Sequence, residues 1–229
     1  MNLDFKPIFS QSILIIKENI REIVILSFIS TYFVFQTTKM AQLIEQINNI
    51  PTILLALLAV ISPLLFLIFH LLLLFIIINK EVGLNAPYLK MIQYIFTRLI
   101  SISVTGILNW LIVLFGYFLF IIPGIIWSFT YSQAYLFSLI DGMGPIKALK
   151  TSKISTNKNK RKLFNLYFLF GLIYGLPELF LSILVKLLNL PNIVLIFMQV
   201  FTSYLLLVNN YVIWKILKQN MNSQNLTQQ

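Results

Sequence analysis

The sequence predicts an all-α, polytopic membrane protein with six transmembrane helices, both termini cytoplasmic, and short interfacial amphipathic helices beside the spans. Three observations carry this. Hydrophobic residues make up 59% of the 229 and charged residues only 10%, too apolar a balance for a water-soluble domain. Several apolar runs exceed the roughly 18 residues at which a run reads as a membrane crossing rather than a buried core helix. The basic residues gather in short segments between those runs, as the bias toward positive cytoplasmic loops requires.

Pro7 suits a first helical turn, where its missing N–H is not needed. Phe9, Ile13, Ile16 and Ile20 then recur at helical spacing, so residues 7–21 read as an interfacial amphipathic helix. A first span over residues 23–38 follows, and Lys39 snorkels at its end. Residues 40–50 place Met40, Leu43, Ile44 and Ile47 on one face and read as a short helix on the opposite surface. Span two covers 52–78, with Pro63 as a kink. A polar loop over 80–98 has its turn at Asn85-Ala86-Pro87.

Residues 99–140 form a stretch of 42 without a charge. As one helix it would be about 63 Å long, twice a bilayer's hydrocarbon core. It therefore folds back, and Pro123 and Gly124 are the expected hinge at the outer surface, between span three at 99–122 and span four at 125–140. After the basic loop comes span five at 163–185, interrupted at Pro177. A turn at Asn189-Leu190-Pro191-Asn192 leads to span six at 193–214. The expected organisation is one membrane domain over 1–218 and a disordered cytoplasmic tail over 219–229.

Six spans return both termini to one side. That side carries 15 of the 17 basic residues, leaving only Lys39 and Lys186 on the other. This makes it the cytoplasmic side. A cleavable signal peptide is not expected, since Lys17, Glu18, Arg21 and Glu22 interrupt the early apolar sequence. The excess of positive charge belongs to these loops, so no nucleic-acid partner is expected.

Few residues could carry chemistry. His70 is the only histidine, and an ionisable group inside a span is a functional candidate because its charge is costly in hydrocarbon. The simpler reading is a neutral imidazole bonded to a neighbouring helix. Glu178, in span five, is the second candidate. The two differ in expected depth by roughly 13 Å, too far for a direct pair. Gly171 and Gly175 form a GxxxG that permits close helix approach, first for packing within the chain and second for self-association. Ser101, Ser103, Thr105 and Gly106 make span three locally small and polar. Asn209 and Asn210 are expected to hydrogen-bond between helices. Trp127 and Trp214 suit the aromatic belt at the interfaces, whereas Trp110 is expected to pack at mid-span.

The basic loop over 141–162 holds Lys147, Lys150, Lys153, Lys158, Lys160, Arg161 and Lys162 against the single acid Asp141. A helix starting at Pro145 would interleave lysines with Ile146, Leu149 and Ile154. That pattern suits a helix lying flat on the anionic inner leaflet, stems at the acyl boundary and ammonium groups at the phosphates. Cysteine is absent and histidine single, which excludes thiolate and multi-histidine metal sites. No phosphate-binding loop, dinucleotide fingerprint or hydrolase motif occurs, and no two acids share a span. No cofactor and no enzymatic activity are expected.

Pro123-Gly124-Ile125, an apolar span, and then Asp141-Gly142-Met143-Gly144-Pro145-Ile146-Lys147-Ala148-Leu149-Lys150-Thr151-Ser152 together resemble the YciC-type bacterial inner-membrane proteins. Those share a Pro-Gly-Ile hinge, a span, an acidic-Gly-x-Gly turn and an Ala-Leu-x-x-Ser helix. Thr151 stands where the family commonly has arginine. A more distant likeness is to the membrane domain attached to some glycerophosphodiester phosphodiesterases, whose catalytic barrel has no counterpart here. The resemblance implies a multi-pass protein of the bacterial inner membrane with a non-enzymatic, envelope-related role. The alternative is a small transporter or lipid-handling protein. Expected partners are inner-leaflet lipids and further membrane-protein chains, its own copy included.

Overall fold

A computed structural model describes residues 3–46, 52–83 and 86–226. Among them the chain forms helices and connecting turns only: α1 (Phe5–Glu18), α2 (Ile20–Gln46), α3 (Thr52–Val82), α4 (Tyr88–Leu119), α5 (Ile121–Tyr131), α6 (Ala134–Leu139), α7 (Pro145–Asn157), α8 (Lys160–Leu187) and α9 (Ile193–Leu226). Five segments among the described residues are long and apolar enough to cross a membrane: Ile20–Met40, Pro63–Val82, Tyr88–Leu119, Lys160–Leu187 and Ile193–Ser223. Their outward faces are apolar too. Along α8, Leu176, Leu179 and Phe180 are each about 60% exposed, a surface that hydrocarbon covers and water would not tolerate.

The chain forms two compact units. The first comprises Met1–Ile13, Ala86–Phe170 and Asn209–Gln229, the second Leu14–Asn85 and Gly171–Val208.

In the first unit the core is built around α6, where Ala134, Leu136, Phe137, Ser138 and Leu139 are all buried. Met91, Ile95 and Ile102 bury one stripe of α4. Leu163, Leu166 and Phe170 do the same for α8, and Val212, Ile213 and Ile216 for α9. The second unit buries Ile23 and Leu26 of α2, Leu71, Leu74 and Ile77 of α3, and Val200, Tyr204 and Leu207 of α9. Phe28 packs on Phe197 and Phe33 on Phe69, and Lys80 pairs with Glu22 at 2.8 Å.

Several elements differ from the sequence-based expectation. The buried line of α1 is Ile8, Ser12, Ile15 and Asn19, one position round from the expected stripe. Residues 40–46 continue α2 rather than starting a separate surface helix, and 47–50 lie outside the described residues. Of the turn at 85–87, Asn85 also lies outside them, while Pro87 caps α4. The expected polar loop is shortened because α4 starts at Tyr88; Lys90 and Arg98 lie along a helix whose other face is apolar. Helix α8 runs unbroken through Pro177. Helix α9 continues to Leu226, so 219–226 are helical where a disordered tail was expected, and 227–229 lie outside the described residues.

The largest differences fall in the charge-free stretch. The chain reverses at Phe120, a single extended residue (φ −165°, ψ 154°) that ends α4 and begins α5. Pro123 and Gly124 lie in the first turn of α5 instead of forming the hinge. Gly124 acts by lacking a side chain: a Cβ there would lie 2.5 Å from the Tyr117 ring, and one on Gly116 would lie 2.8 Å from Trp127 Cε3. The return leg, expected as one span over 125–140, is two helices with a break at Ser132-Gln133.

Candidate functional site

The break at Ser132-Gln133 is where the first unit gathers polar groups inside an otherwise apolar interior. Ser132 Oγ donates back to Phe129 O at 3.0 Å, a local bond that competes with continuation of the helix. The Gln133 carbonyl accepts from both Leu136 and Phe137 N–H, which restarts the chain as α6. Gln133 is fully buried. Its Nε2 donates to the Tyr167 hydroxyl at 2.8 Å, and Tyr167 donates onward to Asn210 Oδ1 at 2.6 Å. The direction of this chain is set, because an amide N–H can only donate and the hydroxyl oxygen then passes its own proton on. Residues from the α5–α6 break, α8 and α9 are thereby tied together. Gln133 Oε1 is buried without a partner among the described residues.

Helix α7 closes over this region. Ser152 Oγ and Thr156 Oγ1 both donate to Thr130 O, at 2.9 and 3.0 Å. Small residues make that seam: Ala148, Ser152, Ser155 and Thr156 are buried. Lys147, Lys150 and Lys153 are exposed, as are Ile146 at 66% and Ile154 at 67%. Of the remaining loop cations, Lys162 pairs with Asp4 at 3.3 Å, Lys158 and Arg161 are exposed, and Lys160 is half-buried.

The turn before α7 gives each motif residue a task. Asp141 pairs with Lys218, which in turn lies over the Trp214 ring. Gly142 has φ +63°, a left-handed conformation natural only to glycine. Its carbonyl accepts from Arg98 Nη1 at 3.0 Å. Gly144 is the extended cap before Pro145, the first residue of α7. Ser101 hydrogen-bonds Ser138 at 3.1 Å, using the small polar patch of α4 for helix packing.

In the second unit His70 Nδ1 lies 3.1 Å from Phe66 O. Its ring sits on Phe66 and on Tyr204, with centroids at 4.2 and 4.4 Å. The Tyr204 hydroxyl bonds Ser30. Glu178 is half-buried on α8 and is not among the contacts of His70. A cavity of about 610 Å³ opens between α2, α3 and α9, lined by Pro63, Phe66 and Val200 with Thr38, Asn192 and Gln199 as its polar groups.

At Gly171 and Gly175 a Cβ would meet no heavy atom of the described residues within 4 Å. Trp110, expected to pack, is 62% exposed, and Trp214 is buried. Among the described residues no three His, Asp or Glu side chains gather as a metal site would need. Gln133 and Tyr167 were not candidates from sequence, although an amide within a charge-free stretch is the one signal that could have marked Gln133. No local pattern foretells the Arg98–Gly142 bond.

The comparisons add no relative. No protein-family model matches the chain, and neither a curated protein nor a solved structure does.

Proposed function

We propose that the chain is a six-crossing protein of a bacterial inner membrane, with both termini cytoplasmic, no catalytic activity of its own, and an envelope-related accessory role exercised at the anionic inner leaflet. The two faces of α7 carry this reading. Its small, hydroxylated face is spent on the Thr130 carbonyl, and Ile146, Lys147, Lys150, Lys153 and Ile154 are left outward. Two isoleucines flanking three lysines match the acyl–headgroup boundary, where each basic residue contributes about 1 kcal/mol on an anionic surface.

The sixth crossing is the α5–α6 leg. Residues 121–139, taken as one kinked helix, would reach about 28 Å, close to the hydrocarbon thickness of about 30 Å. The basic balance of the loops supports cytoplasmic termini, and the resemblance to YciC-type proteins supports the inner membrane. A non-enzymatic role fits the engaged polar groups, since the Gln133–Tyr167–Asn210 chain and the Ser30–Tyr204 pair join helix to helix.

The test uses the whole chain in nanodiscs, with a spin label on Ile154→Cys. In anionic lipid the label should move from aqueous relaxation toward the acyl boundary, and return when Lys147, Lys150 and Lys153 become glutamine. Identical accessibility in neutral and anionic discs would remove the leaflet role. Reporter fusions at residue 155 test sidedness, and a periplasm-active reporter there would invert the topology.

A second reading, a small transporter or lipid-handling protein, is favoured by one feature of each unit: the helix break with its unpartnered Gln133 Oε1, and the cavity beside Pro63. Broken helices and polar groups within the membrane are how transporters build their sites. Co-purification of a defined solute or lipid, lost with Gln133→Leu or with a cavity-filling Val200→Phe, would put this reading first.

A further inference from the structure

The tip of the α4–α5 hairpin is apolar on every side. Phe118 is 84% exposed, Phe120 75%, Ile121 70% and Ile122 71%. A protein partner covers one face of such a tip, whereas only a surrounding solvent covers all of them, and water is the wrong solvent for aromatic and branched side chains.

The length of the hairpin says where the tip stops. Its base is pinned by charge: Arg98 on the outgoing leg bonds Gly142 O, beside the end of the return leg. From Arg98 to Leu119 the helix rises about 31 Å, which equals the hydrocarbon thickness and leaves nothing over for a loop in water.

The turn itself keeps few polar groups. A helix start ordinarily leaves its first backbone N–H groups without partners, at several kcal/mol each in lipid. Helix α4 closes on Phe120 N–H to Gly116 O and α5 opens on Gly124 N–H to Phe120 O. Of the three positions between, Pro123 brings no N–H at all, which leaves only the Ile121 and Ile122 N–H groups without a partner among the described residues. Gly116 and Gly124 let the two legs close directly on one another, so a single residue joins them.

We infer that the α4–α5 hairpin crosses the hydrocarbon without surfacing, and that residues 118–122 end among the acyl chains of the far leaflet. The reading of both termini as cytoplasmic enters only in naming that leaflet the outer one. Because the hairpin enters and leaves on one side, the sidedness of every other loop is the same with or without a surfacing tip.

The chain has no cysteine, so single-cysteine variants report cleanly. Phe120→Cys and Ile121→Cys replace exposed residues and disturb no packing; Gly124→Cys would collide with Tyr117 and is avoided. Leu190→Cys and Lys158→Cys mark the two surfaces. With a membrane-impermeant maleimide, Lys158→Cys and Leu190→Cys should label from opposite sides of oriented vesicles. The tip variants should label from neither side until the membrane is dissolved in denaturant. A spin label at position 120 should be relaxed by oxygen and not by a nickel chelate.

Tip labelling at a rate comparable to Leu190→Cys would overturn the inference. So would oxidative cross-linking of Phe120→Cys into dimers with loss of oxygen access, which would place a second copy on the tip. Labelling of Lys158→Cys and Leu190→Cys from the same side would instead defeat the topology under Proposed function, with the tip still judged by its own two readouts.

Discussion

Arg98 closes on Gly142 so tightly that a side chain at 142 would displace the guanidinium: Nη1 donates to the Gly142 carbonyl at 3.0 Å, and a Cβ on Gly142 would lie 2.8 Å from Nη2. With φ at +63°, it is the backbone that favours glycine. Gly142→Ala should lower stability by about 1–2 kcal/mol from the left-handed backbone alone. Gly144→Ala, with open space around its Cβ, should cost far less. Thermal unfolding of both variants in one detergent separates them, and equal melting temperatures would refute the assignment.

The glycines of the membrane helices divide in the same way. Gly116→Ala and Gly124→Ala force a Cβ against backbone atoms at 2.9 and 2.8 Å and should each cost about 1–3 kcal/mol by overpacking. Gly171→Ala and Gly175→Ala face open space and should be neutral or stabilising for the isolated chain, since alanine is the better helix former by up to about 1 kcal/mol. A large loss of stability at position 171 or 175 in the monomer would show a packing partner there.

Tyr167→Phe removes the hydroxyl that accepts from Gln133 and donates to Asn210. The expected cost is about 1–3 kcal/mol, the penalty for buried polar groups losing a partner. Asn210→Leu should cost a similar amount, and the double variant clearly less than the sum. Strict additivity in a double-mutant cycle would mean the three residues do not act as one network.

For the second unit, Tyr204→Phe deletes the bond to Ser30 and should cost about 0.6 kcal/mol, the average for hydrogen bonds between membrane helices. His70→Gln keeps a donor for Phe66 O and should melt with wild type. Were His70→Gln to abolish activity in cells with its fold intact, the transporter reading would take precedence.

The apolar runs were legible because hydrocarbon imposes a length and a composition at once. Residues 163–185 and 193–214 fall inside α8 and α9, and Pro145 does begin α7. The first turns of α4 were hidden because Lys90 and Arg98 read as loop, although Met91, Ile95 and Ile102 repeat at helical spacing on the buried side. The reversal at Phe120 was misplaced by three residues because Pro-Gly was read as a turn, when the proline supplies a missing donor and the glycine a close approach. The polar chain could not be read at all as a unit. Gln133, Tyr167 and Asn210 lie 34 to 77 residues apart, and only tertiary packing decides which amide meets which hydroxyl.

The one-residue link at Phe120 bears on how the protein is made. Most adjacent spans are separated by a hydrophilic loop, and moving that loop across the membrane is the costly step of biogenesis. Between α4 and α5 there is no such cargo, since residues 99–140 carry no charge and the bend itself is apolar. On the hairpin inferred above, the two legs would enter the bilayer side by side as a preformed wedge, driven by partitioning alone, with Arg98 and the Asp141–Lys218 pair left behind to stop it at its final depth.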